Sequence, residues 1–149
     1  ENKEIQLIHA TGKDHFDSFM DKAGEVPDNV KIYSYMTEID KAYNISDLII
    51  TSSGAITLAE ISFLGLASIL IPKGYTTENH QEFNARTYEK YGASKVILEK
   101  DLKGERLYEE ICDILSSPEN LEQMGIAAKK FAKPEAAKDI VDEIIKRIR

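Results

Sequence analysis

Apolar positions fall along the chain in two alternating rhythms. Short runs rich in β-branched and aromatic residues, Ile5 to Ala10, Val30 to Tyr35, Asp47 to Thr51, Ala67 to Pro72 and Lys95 to Glu99, read as strands. Between them, Phe16 to Ala23, Glu38 to Asn44, Ala55 to Leu64 and His80 to Tyr91 have the length and spacing of crossover helices. Strands that alternate with helices in this way predict an α/β fold, doubly wound around a mostly parallel sheet. Leu48-Ile49-Ile50 and Ile69-Leu70-Ile71 are continuously apolar, the pattern of strands buried on both faces, which predicts that these two lie at the sheet's centre.

Past the last strand the pattern is helical only. Leu107, Ile111, Ile114 and Leu115 share one stripe, and Leu121, Met124, Ala128 and Phe131 share the next. Ser117-Pro118-Glu119 supplies an N-cap, a first-turn proline and an acidic first turn, and Pro134 is expected to open the final helix in the same manner. That helix repeats Ile140, Val141, Ile144, Ile145 and Ile148, a stripe expected to pack on the sheet or on an absent neighbouring domain. There is no internal repeat or low-complexity tract.

At 149 residues with 42% apolar content the chain can close one core, so residues 1–149 are read as a single domain. Its 26 acidic and 19 basic side chains give a net charge of −7 and no concentrated basic patch, which argues against nucleic acid as a partner. The single Cys112 cannot form an internal disulfide, and it reads as a small apolar helix residue of a protein from a reducing compartment. His9 and His15 lack partners at metal-ligand spacing, so no metal site is expected. No apolar stretch approaches the roughly 20 residues of a membrane span, so any membrane association is expected to be peripheral. A start at Glu1 rather than Met points to a processed chain or a piece of a longer one.

Ligands of open parallel sheets collect at the carboxyl ends of the strands, which directs attention to two loops. In Thr51-Ser52-Ser53-Gly54-Ala55 a buried strand runs through two hydroxyls and a glycine straight into a helix, whose N-terminal N–H groups would face an anion. The helix that follows is nearly all apolar and is expected to be packed on several sides, yet it carries Glu60. Ser53, Thr57 and Glu60 fall on one polar face, where the carboxylate can accept both hydroxyls of a ribose diol; spacing alone leaves open a plain solvated glutamate. The second loop, Lys73 to Asn84, has Asn79 and Glu82 at capping-box spacing, which would place His80 and Gln81 in a first turn facing the strand ends. A polar first turn with no ligand remains the competing reading. The charges at Glu105, Arg106, Glu109 and Glu110 read as a solvated helix face.

Taken in order, Ser53-Gly54-Ala55-Ile56-Thr57-Leu58-Ala59-Glu60, Ile71-Pro72, His80-Gln81-Glu82-Phe83-Asn84-Ala85 and Tyr91-Gly92-Ala93 resemble the C-terminal domain of the MurG family. His9-Ala10-Thr11-Gly12-Lys13 and Tyr35-Met36 stand in family-like places, so the resemblance covers nearly the whole chain. It implies a Rossmann-like C-terminal half of a B-type two-domain glycosyltransferase, with extra C-terminal helices. The implied activity transfers N-acetylglucosamine from UDP-N-acetylglucosamine to the undecaprenyl-pyrophosphoryl-muramyl-pentapeptide of peptidoglycan synthesis, at the cytoplasmic face of the bacterial plasma membrane, with no cofactor. Implied donor contacts are the Met36 backbone on the uracil edge, Ala55, Ile56, Thr57, Leu58, Ala59 and Glu60 with Ser53 and Gly54 around phosphates and ribose, and Gln81 on the sugar, supported by His80 and Asn84.

The resemblance also implies what this stretch lacks: a first strand with its glycine-rich loop, and the acceptor domain that binds the lipid-linked substrate. No catalytic residue is therefore assigned, and the chain alone is expected to bind donor weakly and transfer nothing. Ser52 stands where many relatives have arginine. Other readings are a stand-alone sugar-nucleotide-binding subunit that needs an acceptor-binding partner, or another UDP-sugar enzyme of the same fold.

Overall fold

The structure is a computed structural model, described here for residues 5–74 and 79–148. Residues 75–78, part of the second loop singled out above, lie outside the described residues. The chain divides into two compact units, one running to Ile45 and the other starting at Ser46.

In the first unit β1 (Leu7–Ala10) pairs in parallel with β2 (Val30–Tyr33), with Leu7 opposite Val30. A 3-10 turn at Lys13–His15 leads into α1 (Phe16–Ala23), and α2 (Ile39–Ile45) follows β2. Each strand is shorter than its apolar run: Ile5 lies before the ladder, where its carbonyl accepts from Asn29 Nδ2 at 2.7 Å. Tyr43 is the buried hydrophobic residue of this unit among the described residues, while Leu7, Ile8 and Tyr33 on the strands stay substantially exposed.

The second unit holds a three-stranded parallel sheet in the order β3 (Leu48–Thr51), β4 (Ala67–Leu70), β5 (Ser94–Val96). β4 is central, as its continuous apolar run predicts, and all four of its residues are buried. β3 differs from expectation: within this sheet it is an edge strand, and its residues are only half-buried. Both of its faces are nonetheless used, with Ile49 packed on one core cluster and Leu48 and Ile50 on the other. An unbroken apolar strand is what two covered faces require.

One cluster joins α3 (Ala55–Leu64) and α4 (His80–Lys90) to the sheet through Leu58, Ile61, Leu70, Ala85, Tyr88 and Val96. α3 and α4 therefore cover the same face. Between them the Tyr88 hydroxyl lies 2.6 Å from Ser62 Oγ and 3.3 Å from the Leu58 carbonyl, so the buried hydroxyls satisfy each other. The other cluster gathers Ala67, Ile69, Ile97, Ile114 and Met124, with Leu107 and Ile111 of α5 (Gly104–Leu115) and Leu121 of α6 (Pro118–Lys129) against it. Leu107, Ile111 and Ile114 of the first predicted stripe and Leu121 and Met124 of the second thus pack here, while Ala128 and Phe131 join the other cluster. The α6 cap forms as expected, with Ser117 Oγ accepting from the Asn120 N–H at 3.2 Å and Pro118 opening the helix. Gly65 closes α3 in the left-handed region at φ 73°, and a Cβ on Gly125 of α6 would come within 2.3 Å of its carbonyl oxygen. Only glycine lets α6 approach that turn so closely.

Three further expectations need correction. α3 is packed on one side rather than several: Leu58 and Ile61 are buried, whereas Ile56 is 78% and Phe63 62% exposed. The capping box does not form, because Asn79 precedes α4 in the left-handed region at φ 53° and its side chain makes no cap bond. Pro134 lies in a turn, and α7 begins two residues later (Ala136–Ile148). The stripe Ile140, Val141, Ile144, Ile145 and Ile148 on α7 is exposed and does not pack on the sheet, which leaves, of the two expected partners, the absent neighbouring domain.

Candidate functional site

The first element of the site is the turn from β3 into α3. Thr51 is held by its carbonyl, which accepts the Ile71 N–H at 2.8 Å and ties the turn to the end of β4. Ser53 is fully buried, and its hydroxyl donates to the carbonyl of Gln81 at 2.6 Å instead of capping α3. Gly54 occupies the cap position in an extended conformation, and its carbonyl takes the first helical bond from Leu58 N at 2.9 Å. Among the described residues a Cβ on Gly54 would meet no atom beyond its chain neighbours within 4 Å, so this end of the helix is open among them. Its first-turn N–H groups lie at the positive end of the helix dipole, an arrangement suited to phosphate oxygens.

The first turn of α4 forms the opposite wall. Gln81 is used twice: its backbone carbonyl receives Ser53, and its Oε1 accepts the Lys73 N–H at 3.0 Å. Asn84 completes the tie by donating from Nδ2 to the Ser53 carbonyl at 3.3 Å. His80, the first residue of α4, is exposed. The two loops chosen from sequence are thus joined by two side-chain hydrogen bonds, while the bond from Lys73 to Gln81 ties the second loop to itself.

Along α3 the ligand-facing expectations separate. Leu58 points into the core and can offer only its backbone, whereas Ala55, Ile56, Ala59 and Glu60 are exposed and Thr57 is half-buried. Glu60 follows Thr57 by three residues and Ser53 by seven, the repeat that stacks side chains on one helix face. Because α3 and α4 share one side of the sheet, the helix that carries Glu60 lies on the same side as the His80-Gln81 turn.

Met36 belongs to the first unit. It is half-buried in the loop between β2 and α2, beside Tyr35, which is 60% exposed. Sequence reasoning gave no role to the groups around it. Thr11 donates to the Tyr33 carbonyl through N at 3.0 Å and Oγ1 at 3.3 Å, and Lys13 Nζ stands 5.2 Å from the Tyr35 ring centre. The positions of Thr11, Lys13 and Tyr35 at the carboxyl ends of paired strands were the available signal.

A shallow depression lies elsewhere, lined by Lys95, Arg106, Glu109, Glu110 and Asp113. Its carboxylates outnumber its cations, so it does not suit an anionic ligand. Among the described residues no helix is long and apolar enough to cross a membrane, and no group of three His, Cys, Asp or Glu could hold a metal ion.

A parallel α/β sheet whose strand-end loops unite an open helix N-terminus with a polar first turn belongs to the class of Rossmann-like α/β domains, whose ligands collect at the carboxyl ends of the strands. The chain belongs to the glycosyltransferase family 28 C-terminal domain, which it matches over residues 1–140. It is 54% identical to the UDP-N-acetylglucosamine--N-acetylmuramyl-(pentapeptide) pyrophosphoryl-undecaprenol N-acetylglucosamine transferase of Finegoldia magna, over 97% of this chain and 39% of that protein. With the transferase of the same name from Clostridioides difficile it shares 46% identity over 97% of this chain and 36% of that protein. The chain therefore spans well under half the length of these curated relatives. The crystal structure of Acinetobacter baumannii MurG superimposes with a TM-score of 0.82 at 27% identity, covering 97% of this chain and 43% of the other. Glycosyltransferase VinC, solved with dTDP, has a TM-score of 0.71 at 16% identity, over 95% of this chain and 41% of the other, a likeness of fold alone.

Proposed function

We propose that residues 1–149 form the donor-binding part of an N-acetylglucosaminyltransferase of peptidoglycan synthesis. The full protein would move N-acetylglucosamine from UDP-N-acetylglucosamine to the undecaprenyl-pyrophosphoryl-muramyl-pentapeptide, as a peripheral enzyme of the cytoplasmic membrane face. The observation that carries this reading is the tie between Ser53 and Gln81, which sets the open N-terminus of α3 beside the first turn of α4. The names of the relatives supply the donor and acceptor.

In this reading the first turn of α3, from Gly54 through Thr57, takes the diphosphate. The Glu60 carboxylate accepts the ribose hydroxyls, and the Met36 backbone reads the uracil edge. Gln81 meets the sugar, with His80 and Asn84 in support, while Ser53 and Leu58 serve as clamp and core. An acceptor hydroxyl attacks the anomeric carbon, the bond from that carbon to the diphosphate oxygen breaks, and UDP leaves. Negative charge then grows on the diphosphate, where the helix dipole and N–H groups stabilise it without rearrangement.

Calorimetric titration with UDP tests the reading. Charge-assisted hydrogen bonds contribute about 1.5–3 kcal/mol, so Glu60→Ala is expected to weaken binding at least about tenfold. Equal affinity of the two proteins removes the role given to Glu60.

A further inference from the structure

We propose that Glu99 is a positioning residue of the donor site, acting on Gln81 through the backbone at Lys73 and Gly74. This rests on the donor-site reading above. Glu99 opens the 3-10 turn Glu99–Asp101 that follows β5, and its Oε2 accepts the Gly74 N–H at 2.8 Å across 25 residues of sequence. A Cβ on Gly74 would stand 3.4 Å from the same oxygen, so the carboxylate lies directly against the glycine.

The preceding N–H, that of Lys73, donates to Gln81 Oε1, and the Gln81 carbonyl receives the Ser53 hydroxyl. Glu99, Gly74, Lys73, Gln81 and Ser53 thus connect the loops that leave β5, β4 and β3. The peptide planes carrying the two N–H groups share the Lys73 Cα. Fixing one with a charge-assisted bond restricts the other, next to a glycine that would otherwise leave this backbone loose.

An N–H can only donate, so the Gln81 amide must turn its oxygen toward Lys73. Its NH2 group is then the side offered to a ligand, and the geometry selects an acceptor oxygen on the sugar as its partner. A carboxylate near an anionic donor is unfavourable by charge alone. Its hydrogen-bond acceptance, not its charge, is what the site uses.

The test uses the full-length protein with Glu99→Ala and Glu99→Gln. Steady-state kinetics with UDP-N-acetylglucosamine and lipid-linked acceptor are measured alongside donor binding and amide hydrogen exchange at Gly74. Glutamine keeps an acceptor oxygen without the charge. Glu99→Ala is expected to raise donor KM about fivefold and speed exchange at Gly74, with acceptor KM and melting temperature unchanged. Glu99→Gln is expected to restore donor KM to within about twofold of the parent. A parent protein that binds donor while Glu99→Ala shows an unchanged donor KM overturns the positioning role alone, as does an equal loss in both variants. Failure of the parent itself to bind donor overturns the donor-site reading and this role together.

Discussion

The two units are written in the same sequence language of short strand, turn and helix, and both pair their strands in parallel. Their interiors differ. In the second unit Ile61, Ile69, Leu70, Ile97 and Ile114 are completely shielded, and two clusters cover both sheet faces. In the first, Ile8 is 39% exposed although it sits mid-strand with the same apolar character. Apolar periodicity specifies the element, but burial depends on what lies on each side of it. β4 has a strand on both edges, whereas β1 pairs only with β2 among the described residues.

The contrast extends to the site. Loops of the second unit are bound by side chains that cross between elements, from Ser53 to Gln81 and from Asn84 to Ser53. Those at the carboxyl ends of the strands in the first unit carry the Thr11 bond to Tyr33 and a surface cation–π pair between Lys13 and Tyr35. The groups proposed for phosphate and sugar therefore stand on a firmer base than the loop proposed to read the uracil.

Truncation of core residues should separate the units most clearly. Ile69→Ala is expected to cost about 2–5 kcal/mol in urea unfolding, and Ile8→Ala about 1 kcal/mol or less. Equal losses would erase the distinction. Next, Gly125→Ala is expected to cost about 1–3 kcal/mol, because its Cβ would meet backbone rather than a yielding side chain. Among the described residues no glycine of the first unit is so confined: the nearest atom to a Cβ on Gly12 is 3.9 Å away, and Gly24 has none within 4 Å.

Smaller effects test the site loops. Ser53→Ala removes a buried donor and is expected to cost about 1 kcal/mol and weaken UDP binding, while Thr11→Val at an exposed bond costs below about 0.5 kcal/mol. Lys13→Ala should be comparably mild, at about 0.5 kcal/mol in thermal unfolding, since an exposed cation–π contact contributes little more. A larger loss at Lys13 than at Ser53 would reverse the ranking of the two loops.

Much of this was legible in the sequence. α1 and α3 have the bounds that spacing predicts, because a glycine follows each: Gly24 after α1 and Gly65 after α3. Strands were read too long, since apolar runs such as Ala67 to Pro72 continue past the last ladder pair at Leu70. The capping-box spacing of Asn79 and Glu82 misled, because spacing does not fix backbone conformation and Asn79 sits in the left-handed region, where its side chain makes no cap bond. Exposed Ile56 and Phe63 misled too: an all-apolar helix reads the same whichever of its faces is covered.

For the site, the loops were legible because strand ends collect ligands, and the face shared by Ser53, Thr57 and Glu60 followed from helical period. The bonds from Lys73 to Gln81 and from Gly74 to Glu99 were not legible. They join backbone groups to distant side chains, and no sequence period records such pairs.

A crystal structure of the full protein with UDP bound addresses the central claim most directly. It should show diphosphate oxygens at hydrogen-bonding distance from the N–H groups just after Gly54 and the ribose hydroxyls on the Glu60 carboxylate. A diphosphate seated away from the start of α3, or a ribose that never meets Glu60, would contradict the account.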